Sequence, residues 1–265
     1  MRPVESSILA LGVLLAGVGT VVGGAEPIPF TREPLQASEV SLELHDGRVE
    51  IAVDDIGQPF VEVTPMGQLD DVAVVMVTEK RGQLEVVQPH GAETNVPVVV
   101  RMVLTPAQSV SLSGRGVQVS LVDRREDLSD QIWSELDQEI ALDRAKVTRP
   151  GGTASRYVIE VEDSSVDLRQ LTGASVSGFG NDVSLSRCRG PFVFDLDDAE
   201  VSVDEHWGAL YLRGRNAGFQ LEGTAGRLDL DLEDSSVTVV GGRGGLDGRA
   251  DRSSVTVNGW EGPVT

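Results

Sequence analysis

Apolar and polar positions alternate along the second half of this chain in a pattern that returns about every 18 residues. With position zero set at Val166, Val183, Val201, Phe219, Val237 and Val255, the first repeat is 17 residues long and the following ones are 18. Nine residues before zero the column reads Tyr157, Ala174, Phe192, Leu210, Leu228, Leu246. Seven before, it reads Ile159, Val176, Phe194, Leu212, Leu230, Gly248, and five before, Val161, Gly178, Leu196, Gly214, Leu232, Ala250. Apolar steps of two describe a strand with one buried face. A second such strand starts at zero and repeats two residues on, as in Val166/Leu168, Val201/Val203 and Val255/Val257. Four polar residues separate the strands, for example Glu162-Asp163-Ser164-Ser165, a composition suited to a turn. Seven places after each zero stands a glycine (Gly173, Gly190, Gly208, Gly226, Gly244, Gly262), which marks a positive φ or a close approach between stacked turns. The prediction is an all-β fold: a parallel β-solenoid of coils of about 18 residues, each giving one strand to each of two facing sheets, stacked about 4.8 Å apart.

The outward columns fit that stack. Six before zero the later coils read Asp195, Arg213, Asp231, Arg249, and four before zero Asp197, Arg215, Glu233, Asp251. Arginines between acids avoid the like-charge contacts that identical columns would impose, and they penalise a one-coil slip of register. The first half follows the same grammar less strictly. Val40 to Ile51 and Val110 to Val119 each hold two alternating strands around a turn. Val75 to Val87 reads as a weaker coil, because Glu79 falls at a position that should face inward. Val96 to Leu104 is a continuous apolar strand, expected to be buried on both faces or to lie at an edge. The pattern breaks from Val119 to Arg156, where Leu128, Ile132, Leu136 and Ile140 recur every four residues and predict a short amphipathic helix.

The N-terminus changes the picture from fold to compartment. Arg2, the apolar run Ile8 to Val22 and the small residues Gly23-Gly24-Ala25 follow the order of a secretory signal. The run is short for a membrane span, although an uncleaved anchor would also use it. The expected organisation is a signal peptide over 1–25, degenerate β repeats over 26–122, a helical or irregular insertion over 123–156, and a regular six-coil solenoid over 157–265. Residues 26–265 then form one continuous domain, exported to the periplasm, cell surface or medium. Cys188 is the only cysteine, so no internal disulfide can form and packing must hold the fold. A formal charge of −20 repels phosphate backbones and argues against nucleic acid as a partner.

Three chemistries that use repeated coils were weighed against the columns. A hexapeptide acyltransferase helix needs inward residues every six positions, which the columns do not supply. A calcium-binding β-roll needs a carboxylate ladder, but the column two before zero reads Ser164, Asn181, Ala199, Ala217, Ser235, Ser253. A polysaccharide lyase or hydrolase needs converging carboxylates in a groove. Asp195, Asp197 and Asp198, and Asp229, Asp231, Glu233 and Asp234, are the candidates, with solvated turn acids as the plainer reading. His45 and His90 fall in expected turns. His206 shares a corner column with Leu171, Cys188, Thr224, Gly242 and Trp260, and Cys188 with His206 reads as packing rather than a site. No catalytic, cofactor or metal residues are assigned.

The strand–turn–strand units SLELHDGRVEIAV, SLSGRGVQVSLV and DLEDSSVTVV, and the passage VVVRMVLTPAQSVSLSGRGVQV, resemble the bacterial putative-adhesin families of unknown function with β-strand repeats. The resemblance runs from about Val40 to the C-terminus and rests on repeat style. It implies an exported or membrane-attached protein and no particular functional residue. The expected function is a non-enzymatic envelope scaffold or adhesion-type module. A carbohydrate-active or carbohydrate-binding β-helix, or a calcium-stabilised roll, stands as the alternative. Expected partners are an envelope component, a glycan, or a second chain at the C-terminal edge. There Val264 falls in the first column of a seventh coil that is not expected to form, and Trp260 is expected either to cover the open end or to fill a corner.

Overall fold

The structure is a computed structural model that describes residues 30–32, 34–54, 57–66, 75–80, 82–88, 97–124 and 157–265. The expected signal peptide lies outside the described residues, as does the expected helix from Leu128 to Ile140. Among the described residues no helix is long and apolar enough to cross a membrane. The first half contributes β1 (Phe30–Arg32), β2 (Glu39–His45), β3 (Arg48–Val53), β4 (Phe60–Pro65), β5 (Met76–Lys80), β6 (Gln83–Val87), β7 (Val98–Leu104), β8 (Ser109–Arg115) and β9 (Gln118–Asp123). The second half contributes β10 (Tyr157–Glu162) with β11 (Ser165–Arg169), β12 (Ala174–Phe179) with β13 (Asp182–Arg189), and β14 (Phe192–Asp197) with β15 (Glu200–Trp207). It continues with β16 (Leu210–Arg215) and β17 (Gly218–Ala225), β18 (Leu228–Glu233) and β19 (Ser236–Arg243), and β20 (Leu246–Asp251) and β21 (Ser254–Glu261).

The two facing sheets are those the columns demand. One runs β1-β4-β7-β3-β9-β11-β13-β15-β17-β19-β21 and the other β20-β18-β16-β14-β12-β10-β8-β2-β6-β5. The zero column is a continuous parallel register from Val119 through Val166, Val183, Val201, Phe219 and Val237 to Val255. As far as Val237, its side chains and those of the columns seven and nine before zero fill one apolar interior, with Phe192, Phe194 and Phe219 among the largest fully buried groups. Burying each such side chain contributes about 1.5–3 kcal/mol. Size is matched inside the coil: a Cβ on Gly214 would stand 2.7 Å from the Phe219 ring, so the glycine makes room for the phenylalanine.

The turns are tighter than four residues. In the coil of β10 and β11 only Asp163 and Ser164 lie between the strands. The residue three before zero adopts the left-handed conformation in each coil, at Asp46, Gly116, Asp163, Gly180, Asp198, Asn216, Asp234 and Arg252. Asp, Asn and Gly tolerate that conformation best, and Arg252 departs from the rule. A second left-handed column, four after zero, escapes the alternation altogether: Gln170, Arg187, Glu205, Gly223, Gly241, Gly259. The ladder breaks at this corner, as between Asp204↔Glu222 and Trp207↔Ala225, and resumes in the same register, so the left-handed residue turns the long strand without shifting its pairing. The glycine seven after zero meets both expectations. Gly208 has φ 133°, and a Cβ there would lie 2.6 Å from the carbonyl oxygen of Gly190 in the coil before.

The first half departs from the reading of the sequence. Val75 to Val87 is not a coil. β5 and β6 form an antiparallel hairpin within one sheet, with Gly82 at φ 81° just before β6. Val96 to Leu104 does not form an edge or a doubly buried strand. β7 lies between β3 and β4 with one face buried, and Arg101 points outward between Glu50 and Glu62, its Nε 3.1 Å from Glu50 and its Nη1 3.9 Å from Glu62. Space also reorders the chain. β6 and β7 follow β2 and β3 in sequence but stack beneath them, and β8 and β9 then return to stack on their other side. Buried Gln108 fastens that return: its Nε2 donates to the Ala37 carbonyl at 2.6 Å and its Oε1 accepts the Thr105 amide at 2.8 Å.

Candidate functional site

The sequence nominates acids, a corner column and the C-terminal edge. The acids project from one sheet face into solvent as charge ladders. Asp195 pairs with Arg213 at 3.4 Å, Asp231 approaches Arg213 at 4.0 Å, and Asp229 accepts from Arg227 at 2.8 Å. Arg215 reaches Glu233 at 3.5 Å. Register sets Asp195 opposite Arg213, Arg213 opposite Asp231, and Asp231 opposite Arg249. Elsewhere the register sets acid on acid, as at Asp204 opposite Glu222, Asp229 opposite Asp247 and, beside the last turn, Glu233 opposite Asp251. Arg252 resolves the last of these, with Nη2 2.6 Å from Glu233, Nε 2.8 Å from Asp234 and Nη1 3.1 Å from Asp251. The Asp234 carboxyl is held below its ordinary range by its hydrogen bonds to Arg252. The signal for Arg252 was present in the sequence: a lone basic residue in a turn column otherwise built of Asp, Asn and Gly, beside an acid pair at the turn.

The column two before zero turns inward and serves the backbone. The Ser164 hydroxyl accepts the Val117 amide at 3.0 Å and donates to the Glu162 carbonyl at 2.6 Å. Asn181 Oδ1 accepts the Ser164 amide at 3.0 Å, and its Nδ2 donates to the Val161 carbonyl at 2.8 Å. Ser235 repeats the pattern for Ala217, and Ser253 for Ser235, each at 3.0 Å. A column that could have held a cation thus satisfies turn amides that would otherwise be buried without partners. Among the described residues no three His, Cys, Asp or Glu side chains come together as a metal site.

The corner column is buried at Leu171, Cys188, His206 and Thr224 and half-buried at Gly242 and Trp260. Cys188 pairs in register with His206, and Gly242 lies between Thr224 and Trp260. The Cys188 thiol accepts the Leu171 amide at 3.4 Å, and burial pushes its pKa up to about 12, far from a reactive thiolate. His206 packs edge-on to Phe192 with ring centroids 5.3 Å apart. Neither of its ring nitrogens, nor the Thr224 hydroxyl, has a hydrogen-bond partner, and burial pushes the imidazole down to about 4, offset only in part by backbone near Ala209 and Cys188. The imidazole is therefore neutral and structural at physiological pH. Trp260 fills the same corner one coil further on: its ring covers Gly242, where a Cβ would stand 2.6 Å away, and its Nε1 donates to the Gly244 carbonyl at 3.2 Å. It does not lid the open end.

That end is the least covered part of the described solenoid. A seventh coil does begin, contrary to expectation: Val264 bridges Leu246 in parallel, and the Gly248 amide donates to the Thr265 carbonyl at 3.2 Å. Beyond that, the outer edges of β20 and β21 are unpaired. Val255 is 40% exposed, and Gly248 and Ala250, whose columns are otherwise inward, are exposed as well.

No family model matches this chain, and no curated protein matches it. Among solved structures, it is similar to a putative adhesin from Bacteroides fragilis, 11% identical with a TM-score of 0.40, over 89% of this chain and 95% of that one. A second similar structure is a putative adhesin from Parabacteroides merdae, 10% identical with a TM-score of 0.31, over 88% of this chain and 93% of that one.

Proposed function

We propose that this chain is an exported, non-enzymatic β-solenoid that serves the bacterial cell envelope as a scaffold or adhesion-type module. The observation that carries the reading is the fate of the acids: the best-placed carboxylates pair with Arg213, Arg215, Arg227 and Arg252 along exposed ladders. A general acid or base works best free of such partners and withdrawn into a cleft. Broad, flat, charge-patterned sheets suit contact over area. The N-terminal pattern of Arg2, an apolar run and small residues supports export. Cell fractionation with N-terminal sequencing of the mature chain tests export, and a cytoplasmic, unprocessed product defeats it. Glycan turnover by the purified protein that vanishes in Asp195→Asn or Asp231→Asn would defeat the non-enzymatic reading.

A further inference from the structure

We infer that the open end formed by β20 and β21 binds a second copy of this chain, edge to edge about a two-fold axis, in one register. Along β20 the Leu246 and Gly248 amides already point to the open side, donating to Pro263 and Thr265. Amides alternate along a strand, so those of Ala250 and Arg252 point there too. Along β21 the Ser254 amide points back to Ser235, so that of Val255 faces the open side. Ala250 and Val255 thus flank the last turn with both hydrogen-bonding groups directed outward. A C2 pairing centred on them sets Ala250 against Ala250 of the second copy and Val255 against Val255, each an antiparallel hydrogen-bonded pair.

Charge selects that register. Centring on Arg249 would set Arg249 on Arg249 and Asp247 on Asp251, like on like. Centring on Ala250 sets Arg249 of each copy opposite Asp251 of the other. Centring on Gly248 would also match charges, Arg249 to Asp247, but Val264 and Thr265 already occupy the edge beside Leu246 and Gly248. The chosen register confines the pairing on β20 to residues 249–251, past that stretch, and covers the exposed Val255. The opposite end of the described solenoid offers no equivalent: there the sheets finish in a three-residue strand β1 and in β5, both antiparallel to their neighbours. The assembly therefore closes as a dimer and does not grow into a filament.

Sedimentation equilibrium of the 265-residue chain tests this. Wild type dimerises and goes no further, and higher salt tightens the dimer because each copy carries a formal charge of −20. Arg249→Asp alone and Asp251→Arg alone each weaken dimerisation by about tenfold or more, since two matched pairs become two repulsive ones. An equimolar mixture of the two variants restores it as a heterodimer, because each copy then meets its complement. Circular dichroism checks that both variants fold, and the recovery on mixing does not depend on either variant's own stability. A monomer at about 100 μM, a growing filament, a dimer indifferent to both substitutions, or a mixture that stays monomeric would each overturn the inference.

Discussion

The two ends of the described solenoid solve the same problem in opposite ways. Every stack of parallel coils finishes in strands with unpaired backbone on one side. At one end the chain reverses: β5 folds back antiparallel on β6, β4 on β7, and the short β1 covers β4. Val61, Val63, Leu84 and Val86 are buried as a result. At the other end the coils remain parallel to the last, and Val255 stays 40% exposed although its column is buried everywhere else in the second half. A capped end needs sequence that breaks the repeat, whereas an uncapped one keeps the repeat and leaves an adhesive edge. The irregularity of the first half therefore reflects capping rather than decay of the pattern.

The sharpest way to break the comparison is to delete apolar bulk at both places. Leu84→Ala, buried in β6 at the end where the chain reverses, is expected to cost about 2–5 kcal/mol in urea unfolding, and Val255→Ala under about 1 kcal/mol. Equal costs would mean that the last coil is as firmly covered as the opposite end. Acid tests the interior coil that holds His206. Its folded pKa is about 4 against 6.5 in the unfolded chain, so the unfolded chain takes up the proton first. The stability present above pH 6.5 is lost as pH falls towards 4, by about 3 kcal/mol at the limit. His206→Leu should flatten that part of the pH profile relative to wild type, and parallel profiles would contradict the burial of the ring.

Smaller effects refine the picture. Gln108→Ala removes both bonds that fasten the return to β8 and should cost about 1–3 kcal/mol, with earlier amide exchange in β8 than in β10. Exchange in β20 and β21 should be faster than in β2 and β8 whenever the chain is dilute. Arg252→Ala should cost under about 1 kcal/mol at low salt and almost nothing at high salt, because the ion pairs it breaks are exposed.

The regular half was legible because its information is local. A period of two tells which side chains of a strand face inward, and a period of about 18 tells where the next coil repeats them. Hence the zero column and the Asp195–Arg213–Asp231 ladder fall into the registers the sequence implies. The left-handed column at Gln170, Arg187 and Glu205 was hidden, since glycine marks it only in the last three coils, at Gly223, Gly241 and Gly259. Arg252 was legible in principle but was hidden by counting charges along columns and not across the turn.

What the sequence determined by itself was the coil: two strands, their inward faces, and turns with left-handed positions. Which strands became neighbours was decided only in three dimensions. The first-half strands each bury an alternating apolar face, so the pattern alone does not say which of them stacks on which. The turn at Gly82 made β5 and β6 antiparallel, and Gln108 held β8 against β2 with β6 and β7 on the far side. Alternation encodes the face a strand buries, but the partner along its edge is chosen by backbone hydrogen bonds, which every sequence offers alike. For that reason tertiary structure decided where the strands reverse and where they stay parallel.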